Sequence, residues 1–102
     1  MTMVALTLTA PRGLEEKLVQ LLLENEVAGA AGFTVREAVA YGRELEFRTV
    51  SERIGGRIRQ IEIRLTLAAD AVPPLVNTLK LAIPDKDVTW QVAPISASGT
   101  SG

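Results

Sequence analysis

Residues 42–57 read GRELEFRTVSERIGGR, and this one segment holds four of the chain's eight arginines and three of its nine glutamates. Gly42 precedes Arg43 at one end, and Gly56 precedes Arg57 at the other. Between them, Glu44, Glu46 and Glu52 alternate with Arg48 and Arg53. The charge is therefore mutually compensated and not a bare basic patch. With a formal net charge of -1 over 102 residues, the chain lacks the basic excess that phosphate-dominated nucleic-acid binding requires. Nucleic acid is excluded as a partner.

Other chemistry is bounded by what is missing. There is no cysteine, which removes disulfides, thiol catalysis and thiolate metal sites. There is no histidine, which removes the commonest general base and transition-metal ligand. A metal site would have to use Glu44, Glu46, Glu52, Asp85 or Asp87. Carboxylates alone hold a soft metal weakly, and no stretch has calcium-loop spacing. Arg36, Glu37 and Tyr41 offer protons, but no two carboxylates are spaced for matched acid and base roles. The residues point away from an enzyme.

The elements that position these groups follow from periodicity. Residues 3–9 alternate, with Val4, Leu6 and Leu8 on one side and Ala5, Thr7 and Thr9 on the other, as in a half-buried strand. Pro11 and Gly13 end it. This short run has no basic lead-in, so it is not a signal peptide. No apolar stretch is long enough to span a bilayer. A cytoplasmic protein is expected, with no membrane insertion.

Leu14, Leu18, Leu21 and Leu22 give a helical stripe over 14–25. VAGAAG, 27–32, reads as a small-residue connection, and 33–41 as a second strand. In IRQIEIRLTL, 58–67, Ile61, Ile63, Leu65 and Leu67 alternate with Glu62, Arg64 and Thr66. Asp70 is the expected cap of a helix carrying Pro73 and Pro74 in its first turn. Val72, Leu75, Val76, Leu79 and Ile83 form its apolar stripe, and Pro84 stops it. Residues 88–93 are the last strand, and SASGTSG is expected to be a disordered tail.

Two strand–helix–strand units with right-handed crossovers predict an α+β domain over 1–95, with residues 96–102 outside it. Its βαββαβ order makes one antiparallel sheet with both helices on one face, the ferredoxin-like fold. Its other face carries Thr7, Thr9, Glu62, Arg64 and Thr66, either solvated or against copies of the same sheet. In the second case Arg64 and Glu62 would pair across the interface, because a lone buried charge is costly. RNA recognition on this face would need aromatic residues for stacking, and the third strand has none.

A hairpin between adjacent strands normally needs roughly two to five residues. The segment 42–57 far exceeds this, and long structured loops tend to carry function. Its apolar Leu45, Phe47, Val50 and Ile54 separate it from plain spacer. It is either a docking arm or a folded-back connection whose charges keep it solvated.

The succession GFTVREAVAYG, long loop, SERIGGRIRQIEIRL, helix, IPDKDVTWQVAPI resembles the PII-like superfamily. Within it, the chain is similar to a branch of short PII-like proteins often encoded beside heavy-metal efflux pumps. Ser51, Glu52, Ile54, Gly56, Arg57, Arg59 and Glu62 carry the likeness, with Trp90 to Pro94 at the end. It covers residues 3–95.

The resemblance implies a homotrimeric regulatory protein. Its loop would dock on a partner such as a membrane transporter or an efflux-pump component. A small ligand, an adenine nucleotide or a smaller anion, would sit in clefts between subunits at the loop base. The matching ligand positions are Gly42, Arg43, Gly56, Arg57 and Lys86. The docking positions are Phe47, Arg48, Ser51, Glu52, Arg53 and Ile54. The turn PDKD supplies Lys86 without the glycine usual there, the C-terminal signature arginine is absent, and Tyr41 lies in the strand and not in the loop. A metal-responsive, CutA-like trimer is the alternative, and an amino-acid-binding domain of the ACT type is a third reading.

Overall fold

The computed structural model describes residues 2–43 and 56–102. Four strands, β1 (Met3–Pro11), β2 (Thr34–Tyr41), β3 (Arg57–Ala68) and β4 (Thr89–Pro94), form one antiparallel sheet in the order β2-β3-β1-β4. Helices α1 (Glu15–Glu24) and α2 (Glu26–Ala31) connect β1 to β2, and α3 (Val72–Ala82) connects β3 to β4. This is the ferredoxin-like arrangement that the two strand–helix–strand units predict.

The core lies between the helices and one face of the sheet. Leu6 and Leu8 of β1 and Ile61, Ile63, Leu65 and Leu67 of β3 pack with Leu18 and Leu22 of α1. From α3 come Val72, Leu75, Val76 and Leu79, followed by Ile83, the full stripe that periodicity identifies. Both helical layers thus share one cluster on one side of the sheet. No helix among the described residues is long and apolar enough to cross a membrane.

The structure corrects two local expectations. Residues 27–32 are not an irregular connection, for Glu26–Ala31 is the helix α2. Asn25 leaves the helical conformation at φ -76, ψ 131, and its side-chain oxygen accepts from the Val27 and Ala28 N–H groups at 3.0 Å each. One asparagine therefore ends α1 and caps α2. Gly29 lets the two helices meet closely: a Cβ there would lie 2.6 Å from the Leu23 carbonyl oxygen. Gly29→Ala improves helix propensity by about 1 kcal/mol, yet it forces backbone apart. A net loss of about 1–2 kcal/mol is expected in chemical denaturation.

Asp70 does not cap α3. It lies in a 3-10 turn, Ala69–Ala71, and the cap residue is Ala71, with no side-chain cap hydrogen bond. A capping oxygen normally binds the second or third N–H of the helix. Here Pro73 and Pro74 occupy those positions and have no N–H, so a cap would find no donor.

Candidate functional site

The last pair of the β2–β3 ladder is Tyr41 with Arg57. Gly42 and Arg43 leave β2 there, and Gly56 enters β3 with φ +65. Glycine adopts that left-handed conformation without the penalty a Cβ brings. The structure thus sets four of the five sequence-predicted ligand positions, Gly42, Arg43, Gly56 and Arg57, at one end of one ribbon.

Lys86, the fifth, is at the same end of the sheet but on the far edge. It sits in the turn before β4, and β4 is separated from β2 by β1 and β3. At about 4.8 Å per strand, the two edges are about 14 Å apart. The turn itself is folded around Asp85, whose Oδ1 accepts from the Asp87 N–H at 2.8 Å and whose carbonyl accepts from the Val88 N–H at 3.1 Å. Within a single chain, Lys86 therefore does not join the arginines at the loop base. Phe47, Arg48, Ser51, Glu52, Arg53 and Ile54 lie outside the described residues, as do Glu44 and Glu46. No group of three carboxylates that could hold a metal ion occurs among the described residues.

One residue at this end was not singled out from the sequence. Arg12 follows β1 directly and meets Glu37 of β2 at 3.0 Å. Register brings Val39 opposite Arg59 and Tyr41 opposite Arg57. A cleft of about 370 Å³ opens between Arg12, Glu37, Ala38, Val39, Arg59 and Gln60. Tyr41 and Val39 are exposed beside it. The guanidinium of Arg59 has no ion pair with another described residue. The ribbon thus combines cationic groups with exposed apolar surface, a combination suited to an anion that also carries a hydrophobic part.

On the opposite edge, Leu8, Val76, Leu79, Ile83, Val88 and Trp90 line an apolar cleft of about 290 Å³ between α3 and β4. On the sheet face away from the helices, Arg36 donates to Glu62 Oε1 from Nε at 3.1 Å and from Nη2 at 2.7 Å. Within the chain the ion-pair partner of Glu62 is Arg36, its direct neighbour across β2 and β3.

Solved structures share this architecture. A DUF3240-family protein from Shewanella baltica OS155 is 20% identical and superposes with a TM-score of 0.76, covering 100% of this chain and 99% of that one. CutA1 from Pyrococcus horikoshii, at 15% identity, covers 96% of this chain and 88% of its own with a TM-score of 0.66. B. subtilis GlnK in its complex with ATP is 20% identical, covering 93% and 85% with a TM-score of 0.64. At such identities these likenesses establish the fold, which is PII-like. No curated protein matches the sequence. The family model described as "Protein of unknown function (DUF3240)" matches residues 1–102, and the chain belongs to that family.

Proposed function

We propose that this chain is a non-enzymatic, PII-like regulatory protein that works in the cytoplasm as a homotrimer. A small ligand, an adenine nucleotide or a smaller anion, binds in the cleft between subunits at the loop base and sets the conformation of the loop 42–57. The loop then contacts a partner, a membrane transporter or an efflux-pump component. The observation that carries this reading is the loop base itself. Arg57 closes the ladder opposite Tyr41, and Gly42–Arg43 and Gly56 continue directly from that last pair. The likeness to GlnK in its ATP complex supports it. In this reading Lys86 comes to the cleft from a neighbouring subunit, since in its own chain it precedes β4, on the opposite edge of the sheet from β2.

The metal-responsive alternative draws on an equal likeness to CutA1, but the chain has no histidine or cysteine to favour it.

Native mass spectrometry of the freshly purified protein tests the proposal. A species of three 10.9 kDa chains is expected, and titration with ATP or inorganic phosphate should add ligand mass. Arg43→Ala with Arg57→Ala should weaken that binding at least about tenfold, as expected for loss of charge-assisted hydrogen bonds. A monomer that takes up neither probe would refute the reading.

A further inference from the structure

Paired residues of an antiparallel ladder project to the same face of the sheet. Glu37 pairs with Ile61, Val39 with Arg59 and Tyr41 with Arg57, and Ile61 is fully buried in the core. Glu37, Val39, Tyr41 and Arg59 therefore stand on the helix-facing side, toward the β2 edge. Arg12 reaches this row from the end of β1. Because β3 lies between β1 and β2, its 3.0 Å contact with Glu37 bridges two strand spacings, about 10 Å. The pair borders the cleft of about 370 Å³, and Val39 and Arg59 line it one step further along the ladder.

Three properties define what this cleft can hold. Its charges do not cancel, for Arg12 and Arg59 stand with one carboxylate, Glu37, which leaves a surplus of one positive charge. Arg59 enters no ion pair among the described residues, so its planar fork of donors is available to a ligand. Val39 and Tyr41 are exposed on the same face, an apolar strip that leads away from the cleft. The Arg12–Glu37 pair is open to water on both sides, 48% and 65% exposed. Such a pair contributes little to stability, so Arg12 can turn to an incoming anion at small cost. A surplus of one suits a monoanion. A triphosphate would bring more charge than the cleft neutralises, and Glu37 would repel the excess. A planar carboxylate matches the arginine fork.

We infer that this cleft binds a small monocarboxylate with an apolar body. Arg59 and Arg12 hold the carboxylate, Val39 and Tyr41 cover the body, and Glu37 limits the charge that the site accepts. Every one of these residues comes from one chain. The site is therefore separate from the cleft between subunits proposed above and needs no neighbour.

Titration of isotope-labelled protein with phenylacetate, followed through its amide NMR shifts, tests this. Saturable shifts centred on Arg12, Glu37, Val39 and Arg59 are expected. Phenylacetamide, which lacks the charge, and acetate, which lacks the body, should each bind at least about tenfold more weakly. Arg59→Gln should weaken phenylacetate binding at least about tenfold. Glu37→Gln should tighten it about threefold, because it releases Arg12 and removes a like charge. Both substituted positions are exposed, and an amide spectrum unchanged outside the cleft shows that each variant folds. Four results would each overturn the inference: no saturable shift, shifts confined to the cleft at Trp90, phenylacetamide binding as well as phenylacetate, or weaker binding by Glu37→Gln.

Discussion

Leu6→Ala is expected to lower the free energy of unfolding by about 2–5 kcal/mol, the range for a buried leucine truncated in a well-packed core. Leu6 has no exposed surface. It sits on β1, a central strand, between Leu65 of β3 and Val92 of β4. Backbone hydrogen bonds on both sides hold β1 in place, so the sheet cannot collapse into the void. A domain of this size has about 5–15 kcal/mol in all, and the variant should melt well below the wild type. Urea denaturation followed by circular dichroism gives the number. A loss under about 1 kcal/mol would mean that the core relaxes around the site.

The second large effect concerns recognition and leaves stability nearly untouched. Removal of residues 44–54 is expected to abolish recovery of a partner in cross-linking and pull-down comparisons with the intact chain. The fold should survive, because the deletion spares every element described. Tyr41 still pairs with Arg57, and Gly42, Arg43, Gly55 and Gly56 remain as a four-residue connection. That length is ordinary for a hairpin. Shortening the connection also lowers its closure entropy by about 1 kcal/mol, so the melting temperature should hold or rise slightly. Unchanged partner recovery would leave the segment as a solvated connection only.

The parts of the fold that the sequence displays are those fixed by a local period. β3 shows alternation over most of its length, and α3 shows an unbroken stripe from Val72 to Ile83; both are observed within a residue or two. The break at Asn25 is not visible in this way. Asn25 falls in register with the leucine stripe, so periodicity counts it as helix. Gly29 and the alanines around it resemble a loop until the closeness of Leu23 explains why nothing larger fits. Asp70 has the chemistry of a cap, and only the absence of donors on Pro73 and Pro74 denies it that role.

The candidate site divides along the same line. Two glycine–arginine pairs mark the loop base directly in the sequence. The ion pair of Arg12 with Glu37 depends on strand order and register, since 24 intervening residues separate the two. The separation of Lys86 from the loop base depends on β4 pairing with β1 and not with β2, which no local pattern records.

Trp90 is the chain's one tryptophan. It stands on the sheet edge formed by β4, 46% exposed, over the apolar cleft against α3. Its fluorescence therefore reports on that edge alone, with no label attached. In a dilute isolated chain its emission should be red-shifted and readily quenched by iodide; anything that settles along the edge should shift it to the blue and shield it.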